Sequence, residues 1–260
     1  MSSYLHGPGP IALAHRGGGR EVPENSRTAV EHTLSLGLSY LETDVHATAD
    51  GVVVLSHDPT LDRVTDGTGA VGELTWERVS AYRDRSGERL VRLDELLGDY
   101  PGLRVNIDAK DDAVVDPLVE TLRRTAAWDR VCLASFSDDR LARLRAVLGP
   151  GVATSLGRRD IARLVAVSRL PAPAQGRALR ALPGPADGVV CTQVPVSHRG
   201  LPVVTPRFVS AAHRHGLAVH VWTIDEPDRM HRLLDLGVDG LVSDRPRVLR
   251  DVLTARGPWH

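Results

Sequence analysis

The sequence predicts an α/β protein: a (β/α)8 TIM barrel with a small insertion after the second barrel strand. Short apolar runs of strand character alternate with amphipathic, helix-like runs along most of the chain. With VVVLSH at 52–57 pairing as an extra strand after the second, the remaining strand-like runs match the eight of a closed barrel. The 260 residues are a typical length for that fold, and no break in composition divides them, so a single domain is expected. A doubly wound open sheet is the runner-up.

The strand candidates are IALAHR (11–16), SYLETDVH (39–46), VVVLSH (52–57), LRVNIDAK (103–110) and VCLASF (131–136), then VATSL (152–156), GVVCTQ (188–193), LAVHVWTI (217–224) and GLVSD (240–244). Helical periodicity falls between them, at 26–37, 113–127, 138–148, 158–168, 206–215, 226–236 and 246–254. Ser137 supplies a start signal before DDRLARLRAVL, and Pro246 another after the last strand. Residues 59–102 break the alternation, being turn-rich with two short helical stretches, and read as the insertion over one end of the barrel. The Pro, Ala and Gly content of 169–187, RLPAPAQGRALRALPGPAD, leaves its conformation open.

Composition narrows the function. A formal net charge of -1, with Arg, Asp and Glu intermixed, argues against nucleic acid as a partner but leaves room for a small anion. No apolar run approaches a membrane span, and MSSYLHGPGP lacks the basic flank and apolar stretch of a secretory signal. A soluble, cytoplasmic protein without integral membrane association is therefore expected. Cys132 and Cys191 lie in apolar runs without the spacing of a zinc site, and read as buried, reduced thiols. Of 32 basic residues only Lys110 is lysine.

The polar residues within strand-like runs carry the chemistry. His15 and Arg16 end the first strand, Glu42 and Asp44 sit on the second, His57 ends the third run, and Asp108 and Lys110 end the next. Strand side chains alternate between faces, so Glu42 with Asp44, and Asp108 with Lys110, form same-side pairs. The carboxyl ends of barrel strands converge on one mouth. Three carboxylates without cysteine suit one hard divalent cation, Mg2+ or Ca2+, which would offset the cost of gathering buried like charges. Arg16 and Lys110 read as anchors for a phosphate, while His15 and His57 supply a proton acceptor and a proton donor. These are the parts of metal-assisted cleavage of a small-molecule phosphodiester.

At this point the chain resembles the glycerophosphodiester phosphodiesterases, members of the phosphatidylinositol-phospholipase-C-like barrel superfamily. The likeness runs in order through AHRGGGREVPENS, LETDVHATADGVVVLSHDPTLDRVTDGTG, LDELL, VNIDAK, ASF, VHVWTID and GVDGLVSDRP, nearly the whole chain. It implies that His15 and His57 are the acid–base pair, that Glu42, Asp44 and Asp108 hold the metal, and that Arg16 and Lys110 bind phosphate. It also implies an insertion near the substrate entrance, matching 59–102. Family members usually have glutamate at the third metal position, where this chain has Asp108; related spider-type sphingomyelinase D enzymes use aspartate there. The expected reaction yields sn-glycerol 3-phosphate and an alcohol. A lysophospholipase D-type activity and a binding-only barrel are the alternatives, and the oligomeric state is open.

Other residues have plainer expectations. Trp222 is a candidate to line the substrate pocket, and Phe136 shares that position with less support. Glu24 and Asn25 read as helix caps or as supports of the site, Asp58 as orienting His57 or closing a turn, and Asp244 as a cap of the last helix. Gly17, Gly18 and Gly19 lack the spacing of a nucleotide fingerprint and read as a flexible turn. His46, His198, His213, His215, His220 and His231 are expected to be structural.

Overall fold

The computed structural model describes residues 4, 5, 7 and 9–260; residues 1–3, 6 and 8, part of the opening stretch read for a leader, lie outside the described residues. The strands are β1 (Ile11–His15), β2 (Tyr40–Ala47), β3 (Val53–Leu55), β4 (Arg104–Ala109), β5 (Val131–Ala134) and β6 (Ala153–Ser155), then β7 (Val189–Pro195), β8 (Ser197–His198), β9 (Leu201–Pro202), β10 (Ala218–Trp222) and β11 (Gly240–Ser243). Eight of them run parallel in the order β1, β2, β4, β5, β6, β7, β10, β11, and β11 pairs back onto β1 to close the barrel. The open-sheet alternative is excluded by that closure. β3 lies antiparallel on β2, pairing Val45 with Leu55 and Ala47 with Val53, as the extra strand the sequence suggests.

The helices are α1 (Arg27–Ser35), α2 (Trp76–Val79), α3 (Leu93–Asp99), α4 (Val115–Thr125) and α5 (Asp138–Leu148), then α6 (Arg158–Ser168), α7 (Ala172–Leu179), α8 (Pro206–Arg214), α9 (Pro227–Asp235) and α10 (Pro246–Arg256). Their apolar faces and the outward faces of the strands form the main core. A second buried cluster fills the barrel, with Ile11, Leu13, Tyr40, Cys132, Cys191 and Val242 around Tyr4. Tyr40 donates its hydroxyl hydrogen bond to the Tyr4 carbonyl at 2.7 Å, and the two rings meet edge to face at 5.4 Å. Cys132 and Cys191 are wholly buried with their sulfurs 3.8 Å apart, well beyond disulfide bonding distance.

The structure divides the insertion in two and gives a conformation to the segment the sequence left open. Leu93, Leu96 and Leu97 of α3 pack into the main core, so the last part of 59–102 serves the barrel. The remainder has its own small core of Val54, Leu61, Val71, Val79 and Leu90. Within 169–187, α7 forms with proline in its first turn, where the missing N–H breaks no helical bond.

Candidate active site

Each polar residue reaches the barrel mouth because its strand ends there. Ile11, Leu13 and His15 share one face of β1, and the last of them follows two core residues into the cavity. On β2 and β4 the register sets Asp44 beside Asp108 and Glu42 beside Asn106. One cavity of about 1210 Å³ is lined by His15, Arg16, Glu42, Asp44, His57, Asp108, Lys110 and Trp222, so all the residues singled out from the sequence are brought together. Beyond this polar centre it runs along α6, where the apolar Ile161, Val165, Leu201, Pro202 and Val203 alternate with Arg158, Arg159 and Arg169.

The turn after β1 is shaped by close approach. Gly17 and Gly18 have φ of 79° and 103°, and a Cβ on them would lie 2.4 Å from Ala29 Cβ and 2.7 Å from Pro246 Cγ. These glycines are required by the backbone and by α1 and α10 behind it, which corrects the flexible-turn reading. Arg16 is itself left-handed at φ 52°, and its N–H donates to the Glu42 carbonyl at 2.8 Å. That brings its Nε to 3.0 Å from Asp44 Oδ2.

Each of the two histidines is held by a carboxylate. His15 Nδ1 lies 2.6 Å from Asp244 Oδ1, and His57 Nδ1 lies 2.6 Å from Asp58 Oδ1. With Nδ1 engaged, Nε2 is the nitrogen left for chemistry; that of His15 stands 3.7 Å from Glu42. Burial works to lower the His15 pKa, but Glu42 and the Asp244 hydrogen bond outweigh it and the net shift is upward. Arg63 together with His57 holds Asp58 at about 2.

The carboxylates crowd. Burial, reinforced by Asp44 and Asp108, raises Glu42 to about 8. Burial likewise raises Asp108, against the pull of Lys110. The Lys110 ammonium lies 2.6 Å from Asp44 Oδ1 and 2.8 Å from Asp108 Oδ2; burial works against its charge, but these two carboxylates raise its pKa overall. As these side chains stand, no group of three or more His, Cys, Asp or Glu among the described residues is gathered tightly enough for a metal ion. The donor set nevertheless fits an oxygen-seeking cation. Asp108 Oδ1 is buried without a partner, and Glu42 needs added positive charge to ionise at neutral pH.

The family model for the glycerophosphoryl diester phosphodiesterase family matches residues 15–248. The chain belongs to that family. It is 40% identical over 257 residues, 98% of this chain and 95% of the other, to a Mycobacterium tuberculosis protein named "Probable glycerophosphodiester phosphodiesterase 2". A glycerophosphodiester phosphodiesterase of Caldanaerobacter subterraneus is 28% identical over 95% of this chain and 99% of its own. The fold matches that of an Oleispira antarctica phosphodiesterase solved in complex with its product sn-glycerol-3-phosphate, with a TM-score of 0.76 at 23% identity, covering 95% and 97% of the two chains. As a member of the glycerophosphoryl diester phosphodiesterase family, the protein is a phosphoric diester hydrolase.

In this family member several contacts differ from what the sequence suggested. Asp244 does not cap α10, which has no side-chain cap; its carboxylate holds His15. Asp225 fixes it there, accepting from the Asp244 N–H at 2.9 Å. Ser26, not Glu24 or Asn25, caps α1. Asn25 instead accepts from Thr43 at 2.8 Å beside Asp44, and Glu24 accepts from Arg16 at 3.1 Å. His46 reaches the His57 carbonyl at 3.4 Å and is held from behind by Asp111. Phe136, 53% exposed, meets Trp222 edge to face at 6.0 Å on the rim. The one sequence signal for these supports was a carboxylate or amide beside a strand end, which also describes an ordinary cap.

Proposed function

We propose that this protein is a metal-dependent phosphodiesterase that hydrolyses glycerophosphodiesters to sn-glycerol 3-phosphate and an alcohol, with His15 and His57 as the acid–base pair. The observation that carries the proposal is the pair of carboxylate-held imidazoles facing one cavity with Arg16, Lys110 and three buried carboxylates. The names of the relatives support the substrate class.

Arg16 and Lys110 would bind the non-bridging oxygens of the phosphodiester, lowering the charge that repels a nucleophile. One imidazole takes the proton from the attacking hydroxyl, that of water or of the neighbouring glycerol carbon, as its oxygen bonds to phosphorus. The other gives a proton to the departing alkoxide as the P–O bond to the alcohol breaks. Attack by water yields sn-glycerol 3-phosphate directly; attack by the glycerol hydroxyl yields a cyclic phosphate, which water then opens with the two imidazoles exchanging roles. Glu42, Asp44 and Asp108 would hold one Mg2+ or Ca2+, which supplies Lewis-acid stabilisation of charge on the phosphoryl oxygens. Trp222, which lines the same cavity, would contact the substrate.

The apolar extension of the cavity along α6 supports a second reading, a lysophospholipase D-type activity in which an acyl chain lies over Ile161, Val165 and Leu201. The test is release of sn-glycerol 3-phosphate from glycerophosphocholine by chelated protein, then with Mg2+ or Ca2+ restored, beside His15→Ala and His57→Ala. Metal-dependent release that falls by two or more orders of magnitude in both folded variants supports the proposal. Near-normal turnover in either variant overturns its role. Release from lysophosphatidylcholine alone favours the second reading, and none from either substrate leaves a barrel that binds without turnover.

A further inference from the structure

The structure assigns Arg63 the role of a positioning residue that joins the His57 side of the site to the Arg16 side. Its guanidinium is used on two edges: Nε donates to Asp58 Oδ2, while Nη1 and Nη2 donate to the two Glu24 oxygens at 2.9 and 2.7 Å. Asp58 turns its other oxygen to His57 Nδ1 at 2.6 Å. Glu24 Oε1 also accepts from Arg16 Nη1 at 3.1 Å, and Arg16 Nε lies 3.0 Å from Asp44. A ladder therefore runs His57, Asp58, Arg63, Glu24, Arg16, linking the first turn of the insertion to the turn after β1.

A guanidinium is charged at all working pH values and offers its donors in a fixed plane, which suits a tie between two carboxylates. Asp58 is an anion bonded through Oδ2 to Arg63, so its Oδ1 is an acceptor only; His57 Nδ1 then carries the proton and Nε2 is left for the cavity. His46 meets the His57 backbone carbonyl at 3.4 Å with Asp111 behind it, and His15, Arg16, Glu42, Asp44, Asp108 and Lys110 line the same cavity. The bonded route from His57 to Arg16 is the one through Asp58, Arg63 and Glu24. Glu24 is held as an anion despite burial, because Arg63 and Arg16 both donate to it. Loss of Arg63 would leave Asp58 held by His57 alone and Glu24 by Arg16 alone, with no tie between them.

The inference rests on His57 being one of the acid–base pair, so His57→Ala is measured alongside. In Arg63→Met, kcat should fall about tenfold or more, consistent with a displaced general acid or base. Arg63→Lys keeps the charge and loses the planar fork, so part of the turnover should return. Arg63 is 44% exposed at its side chain, and Tm should change little in either variant. Activity that falls only as the folded fraction falls, or an Arg63→Lys variant no more active than Arg63→Met, overturns the inference, as does near-normal turnover in Arg63→Met. If His57→Ala keeps its activity, the acid–base reading itself fails, and that result is distinct from both.

Discussion

Asp244 lies at the end of β11, beyond Ser243, and its backbone N–H is held by Asp225. Its carboxylate is therefore fixed by the barrel while its Oδ1 meets His15. An amide in its place offers a hydrogen bond without the charge, and can present N–H₂ to Nδ1, favouring the wrong tautomer. Asp244→Asn should lower kcat roughly a hundredfold with a near-wild-type melting curve, measured by steady-state kinetics and thermal denaturation. The sequence places the histidines, Arg16 and the carboxylates by strand-end position alone. It could not separate Asp244 the orienter from Asp244 the cap, because both roles call for a short carboxylate before Pro246.

The insertion is a semi-independent element. Its small core is built from Leu61, Val71, Val79 and Leu90 against Val54, and its first turn is tied down by Arg63 to Asp58 and Glu24. Both carboxylates have pKa values below their ordinary range, Asp58 chiefly through Arg63 and Glu24 through Arg63 and Arg16 against the effect of burial. A depressed folded pKa contributes stability that is full above the unfolded value and lost as pH falls through the folded one. Acidification from about pH 4 towards 2 should therefore loosen the insertion first, before the closed barrel. Hydrogen exchange or brief proteolysis at pH 3 and pH 6 would show this as protection lost within 59–92 while β4 and β5 stay protected; equal loss everywhere would refute it. That the segment is an interruption was legible in its turn residues. That Leu93–Asp99 belongs to the barrel was not, since α3 differs from the preceding helical stretch only in which core its leucines meet.

At the scale of the molecule, the barrel is sealed at one end and open to a charged cavity at the other. Tyr4, fully buried, closes the floor against Tyr40, Cys132 and Cys191, while the charged groups stand at the opposite mouth. Tyr4→Ala would leave a large void there and should cost about 3 kcal/mol of stability, read from a urea transition, with kcat unchanged. The alternation of strand and helix made this architecture readable from the chain, and closure followed from the number of strands. The floor did not, because a tyrosine near the start of a chain carries no periodic signal. Among the described residues, no helix is long and apolar enough to cross a membrane.

Lys110 is the chain's single lysine, and it stands as an ammonium between Asp44 and Asp108. The protein thus carries one side-chain amine, and that amine is inside the site. While the two carboxylates hold it, its raised pKa keeps it protonated and slow towards acylating or reductive-methylating reagents. A cation that draws those carboxylates away would free the amine to react, whereas a phosphodiester seated on Lys110 would cover it. The yield of adduct at Lys110, read by peptide mass, then moves in opposite directions for the two occupants.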